Sequence, residues 1–135
     1  MPAARHFRLV LVAICASFTL DSLAADVDGI WASDAAQCGK IFHKSKGRVA
    51  FTRNSDIYGA GLIVGANDIT GKTARCGIRS RKVDGPIVHI SASCATDVML
   101  SDVRLSLKII DENRIARVFP DVSDMEMYYQ RCDLK

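Results

Sequence analysis

Beyond residue 24 the chain has only two histidines, His43 and His89, on separate stretches, and no G-x-S-x-G, H-E-x-x-H, P-loop or glycine-rich dinucleotide signature. The nucleophile, base and phosphate-cradling chemistries that show themselves by local spacing are therefore missing. A Ser/His/Asp triad gathered from distant strands would leave no such mark. The cysteines include no C-x-x-C, and Cys38, Cys76, Cys94 and Cys132 are separated by 38, 18 and 38 positions. This spacing excludes the close ligand pairs of a structural zinc site and the dithiol of a redox catalyst. No low-complexity linker or internal repeat is visible. No apolar run reaches the roughly 18 residues of a membrane-spanning helix, so no stable membrane span is expected. The expectation is a protein with no catalytic residues, no metal and no cofactor.

The first 24 residues read as an address. Arg5, His6 and Arg8 open positively, Leu9 to Leu20 is a short apolar run, and Ser22-Leu23-Ala24 supplies the small residues that signal peptidase needs. Cleavage after Ala24 would leave one β-domain, residues 25–135, in the periplasm or secreted. That part has 111 residues, enough for one core. Its 16 basic and 14 acidic residues give a net charge of +2, too near balance to imply nucleic acid. The charges are uneven: most basic side chains fall between Lys40 and Lys82, whereas Asp97 to Asp133 holds eight acids.

Four cysteines in an oxidising compartment imply two disulfides. The segments 72–82 and 87–94 read as strands joined at Val83-Asp84-Gly85-Pro86, where Asp-Gly signals a turn. With a three-residue loop, Val83 faces Ile87, paired numbers sum to 170, and Cys76 lies opposite Cys94. A non-hydrogen-bonded pair would bring their Cα atoms to about 4.5 Å, within reach of a bridge. A two-residue loop would shift the sum to 169. Cys38 and Cys132 are then left to join the start of the domain to its end. The chain-entropy model gives roughly 3 kcal/mol for the short bridge and about 4.7 for the long one.

Alternation is strand-like almost throughout. It is cleanest over 102–110, where Val103, Leu105, Leu107 and Ile109 share one face. Further strands are expected at 29–32, 40–44, 48–53, 57–64, 69–82, 87–94, 114–119 and 125–132, with one short helix over 33–37 capped by Ser33. Sequential hairpins of this kind predict an all-β fold, a small antiparallel up-and-down barrel of about eight strands, with a two-sheet β-sandwich as the alternative. Closure of the first strand on the last would remove the exposed edges. The glycines of "IYGAGLIVG", Ile57 to Gly65, are read as a bend, with a bulge or a close backbone approach as alternatives. If Cys132 points inward, Met125, Met127 and Tyr129 face out as an apolar strip.

Gly29-Ile30-Trp31 near the start of this β-rich region resembles the G-x-W opening of lipocalin-like barrels. The resemblance implies a Trp31 that caps one barrel end, covered by an arginine of the last strand, for which Arg131 in "YYQRC" is placed. The wider arrangement, with "GIW", "CGKIF" and "YYQRC", is similar to small periplasmic proteins of Gram-negative bacteria, and that likeness carries no activity with it.

The remaining feature is a cluster of cations at Arg75, Arg79, Arg81 and Lys82. In the 170 register Arg75, Arg79 and Arg81 form an outward stripe across from Ala95, Ser91 and His89. Guanidinium groups on alternate residues, about 7 Å apart, suit carboxylates or phosphates. Two functions follow as expectations. The first is a barrel that holds a small apolar or anionic ligand. The second is an interaction or enzyme-inhibitor module that sets this basic face, with His89, against an acidic protein surface.

Overall fold

The structure, a computed structural model, describes residues 26–122 and 124–135, so the expected signal segment lies outside the described residues. The strands are β1 Gly29–Ala32, β2 Phe42–Ser45, β3 Arg48–Phe51, β4 Gly61–Val64, β5 Asp68–Thr70, β6 Arg75–Asp84, β7 Ile87–Ala95, β8 Leu100–Asp111, β9 Arg114–Val118 and β10 Glu126–Arg131. Eight of them close into one antiparallel barrel in the order β1-β10-β9-β8-β7-β6-β5-β4, and β4 returns to β1. This is the expected up-and-down barrel rather than the sandwich. Its seam is the pairing of first strand with last, Trp31 opposite Arg131 and Ala32 opposite Gln130.

Side-chain alternation fills the interior. On β7 Val88, Ile90, Ala92 and Cys94 are buried, whereas Ile87, His89, Ser91 and Ser93 between them are only partly covered, as a period of two dictates. Leu105 and Leu107 of β8 meet Ile90 and Val88 across the ladder. With Trp31, Ile69, Ile115 and Tyr129 they make one contiguous core. Each large apolar side chain fully buried there contributes roughly 1.5–3 kcal/mol.

A second core lies outside the wall. Between β1 and β4 the chain leaves the barrel, forms a 3-10 turn Ala35–Gln37, the short helix α1 Cys38–Ile41 and the separate β2–β3 hairpin, and then returns. The cap is Asp34, whose carboxylate accepts from the Ala36 N–H at 2.9 Å. Ser33, expected as the cap, accepts instead from the Ala60 N–H at 3.1 Å and pins the returning chain. Residues 38–41 are helical where a strand over 40–44 was expected, because Cys38, Ile41 and Phe42 at helical spacing all bury against the wall. They pack with Ala32 and Cys132. Cys132 therefore points out of the barrel while Tyr129 points in, and the condition for an outward Met125, Met127 and Tyr129 strip is not met.

The expected strand 57–64 shortens to β4, preceded by a 3-10 turn Ser55–Tyr58, and 69–82 divides into β5 and β6. At Gly61 the glycine serves close approach rather than a bend. A Cβ there would lie 2.6 Å from Phe42 Cζ and 2.9 Å from Phe51 Cε1.

Both disulfides form as paired in sequence. Cys76 and Cys94 face one another in the β6–β7 ladder with Cα atoms 3.9 Å apart. Cys38 and Cys132, with Cα atoms 5.7 Å apart, fasten α1 to the chain just after β10. Two disulfides fit an oxidising compartment. Among the described residues no helix is long and apolar enough to cross a membrane.

Candidate functional site

The arginine stripe does not survive intact, because the β6–β7 ladder changes register. From Arg75–Ala95 to Ile78–Ala92 the paired numbers sum to 170, but Ser80 faces Ser91, and every pair from there to Asp84–Ile87 sums to 171. Arg79 is the extra residue. A bulge of this kind reverses the facing of everything beyond it. Arg75 keeps its outward place beside Ala95. Arg79 reaches across to Asp102, 3.4 Å away, with both side chains well exposed, and such a pair contributes little. Arg81 moves to the inner face opposite Ile90, and Lys82 takes the outward position opposite His89.

Arg81 then works at a barrel end. Its Nη1 donates to Asp28 Oδ1 at 2.7 Å, and its Nη2 donates to the Gly65 carbonyl. The two side chains of this ion pair are 27% and 34% exposed. Arg131 closes the same end from the opposite strand. Its guanidinium carbon sits 4.2 Å from the Trp31 ring centre, Nε donates to the Glu112 carbonyl at 2.8 Å, and Nη1 donates to the Asp28 carbonyl at 2.9 Å. Trp31 is fully buried and donates its indole N–H to the Val27 carbonyl at 2.9 Å. Asp28, which sequence reasoning passed over, thus receives one arginine on its carboxylate and the other on its carbonyl. These are positioning contacts, and they leave Arg81 unavailable to a partner.

The outward chemistry lies on β7 and β8. Lys82, His89 and Ser106 stand in one cross-strand row, and Ser91 and Arg104 in the next. His89 Nδ1 lies 2.8 Å from Ser106 Oγ, and its Nε2 lies 3.9 Å from Asp84. The chain after β9 runs beside this face. Phe119, Pro120 and Val122 wall a groove of about 600 Å³ over Lys82, His89 and Arg104. Arg117 lines it too, stacked 4.8 Å from the Phe119 ring centre. Among the described residues, Lys82 and Arg104 have no carboxylate within 4.0 Å.

Farther along the wall the charges are satisfied. Lys108 donates to Glu126 at 3.3 Å and the Tyr128 hydroxyl donates to it at 2.5 Å; Tyr128 first and Lys108 second hold the Glu126 carboxyl below its usual range. The same contact holds the Tyr128 hydroxyl above its usual value. Burial pushes up the Tyr129 hydroxyl.

Arg104 and Lys82 are the outward cations that the sequence reading did not place in a binding stripe. Ile78 and Val83 carried the signal, since apolar residues five apart cannot share a face without a bulge between them. His43 is on β2, in a separate sheet from His89 on β7. Comparison with protein-family models, with curated proteins and with solved structures finds no match to this chain.

Proposed function

We propose that the protein is a non-catalytic binding domain of the periplasm or the secreted fraction that holds a small amphipathic anion in the outer groove, with no cofactor. The observation that carries this reading is the groove itself. Lys82, His89, Arg104 and Arg117 line it together with Phe119, Pro120 and Val122 and one carboxylate, Asp121, in a volume within the range of small-molecule sites. Three cations of the lining, Lys82, Arg104 and Arg117, are without a carboxylate within 4.0 Å among the described residues and outnumber Asp121, which favours an anionic head, and the apolar side chains favour a hydrocarbon portion. The barrel axis is a weaker place for the ligand, because Trp31, Ile69, Leu107 and Ile115 occupy it. The Trp31–Arg131 contact is the arrangement that the lipocalin-like resemblance implies, and it supports a barrel scaffold carrying a binding site.

A second reading, an acidic protein surface docking on this face, draws on Arg75, which is exposed and lies beyond the groove. Native mass spectrometry of protein purified gently from its own cell envelope, followed by titration with dodecanoate, tests the two together. The small-anion reading expects added mass that disappears on denaturation, and dodecanoate binding weakened at least tenfold in Lys82→Glu/Arg104→Glu. A bare mass with no dodecanoate binding rejects it. A co-purified protein lost in that double variant selects the acidic partner.

A further inference from the structure

The loop between β7 and β8 displays Val98, Met99 and Leu100, which are 88%, 60% and 84% exposed. Three consecutive large apolar side chains facing water have no role in either core. The loop is held in shape: the Thr96 N–H donates to the Met99 carbonyl at 2.9 Å, and Thr96 Oγ1 accepts from the N–H groups of Val98 and Met99 at 3.3 and 3.1 Å. Ala95 pairs with Leu100 at the end of the ladder, next to the bridged Cys94. The apolar tip is therefore presented by a fixed base.

Cations surround that base. Lys72 and Arg75 border a groove that Thr96 and Asp97 line from the loop side. Val49, Ala50 and Phe51 of β3 line the same groove, and the tip of their hairpin carries the exposed Lys44, Lys46 and Arg48. On the opposite flank Arg79 shares one groove with Leu100 and another with Arg104. Against these stand Asp97, Asp102 and the exposed Asp56, which shares a groove with Lys72; Asp102 already accepts from Ser93 at 2.7 Å and pairs with Arg79.

We infer that this end of the barrel seats on an anionic lipid bilayer, with Val98, Met99 and Leu100 entering the boundary between headgroups and acyl chains and the surrounding lysines and arginines resting on the headgroups. An apolar tip within a cationic rim is the pattern that combines partitioning with attraction to anionic lipid. Long cationic side chains spread over β3, β6 and the turns beside them match a fluid layer of headgroups better than one rigid pocket. Each cation near such a surface strengthens attachment about fivefold, and the gain fades with salt.

Sedimentation of the purified protein with phosphatidylcholine vesicles, with and without added phosphatidylglycerol, tests this. Binding is expected to the mixed vesicles and not to phosphatidylcholine alone, and to fall as salt is raised. Val98→Ser/Met99→Ser/Leu100→Ser and, separately, Arg75→Glu/Arg79→Glu are each expected to weaken it at least tenfold, with unchanged Trp31 emission showing an intact barrel. The milder Met99→Ser is expected to fall between wild type and the triple variant. Failure to bind mixed vesicles at low salt overturns the proposal and leaves the loop to a protein partner. Undiminished binding of the serine variants overturns it as well, since attachment would then be electrostatic only. Neither result bears on dodecanoate binding in the Lys82–Arg104 groove.

Discussion

Replacing Arg131 by Met removes the guanidinium while keeping a flexible apolar stem over Trp31. Two short hydrogen bonds from a charged donor to carbonyls are lost, to Glu112 at 2.8 Å and to Asp28 at 2.9 Å, along with a third to Asp26 that at 3.5 Å adds little. Because this barrel end is partly wet, each short bond is counted near the lower figure for charged bonds, about 1.5 kcal/mol. Loss of the cation over the indole adds about 1 kcal/mol, and the retained stem returns part of the total. The expected cost is about 3–4 kcal/mol, a large share of the stability of a domain this size. Arg131→Lys retains a charge above the ring but not the fork that reaches both carbonyls, and is expected to cost about half as much. Trp31 is the only tryptophan in the sequence, so urea unfolding followed by its fluorescence reads the perturbed site directly. A loss below about 1 kcal/mol for Arg131→Met would refute the reasoning. An Arg131→Lys variant as stable as wild type would show that charge alone suffices and that the bonds to Glu112 and Asp28 contribute nothing.

Gly61→Ala is expected to cost about 1–3 kcal/mol by forcing apart Phe42 and Phe51, read by thermal unfolding. Gly77→Ala, where an added Cβ meets nothing within 4 Å, is the near-neutral control. Cys38→Ala/Cys132→Ala is expected to lower stability by about 2–5 kcal/mol in denaturant melts, and an unchanged midpoint would contradict a structural role for the bridge. Stability is expected to fall as pH rises past the ordinary tyrosine value of about 10, because the unfolded chain then releases a proton that buried Tyr129 still holds. Melting temperature against pH checks this, and Tyr129→Phe should flatten the alkaline limb. On the acid side Asp111, held low first by the Asn113 N–H and then by Arg114, and Glu126 contribute stability above the ordinary carboxylate range that is lost as pH falls through their lowered values.

The barrel was legible because period-two alternation in β7 and β8 has few rivals over nine or more residues, and because Cys76 and Cys94 report the register at the point where they pair. The same register failed a few residues later for a physical reason. Between Ile78 and Val83 the sequence is Arg-Ser-Arg-Lys, with no apolar side chain to mark a face, so the odd spacing of the two apolar residues signals a bulge without showing where in the run it enters. The excursion after β1 was misread because it is short. One turn of helix at Cys38–Ile41 offers a single instance of helical spacing, which a strand reading can absorb. The groove was beyond reach because its apolar wall comes from the loop after β9, and nothing in local sequence says which face a loop will lie against.

The seam has a consequence for the order of assembly. Trp31 is flanked by Leu62 and Arg131, so β1 lies between a strand from the middle of the chain and one from its end. The hairpin meander from β4 to β10 joins neighbours in sequence and closes only short loops. The ring is expected to shut last, when β1 is inserted into a gap that the meander leaves open, because contacts of such long range are slow to form. The indole enters its covered site at that step. Its fluorescence is therefore a clock on closure, and a reporter placed in the β7–β8 ladder would run ahead of it.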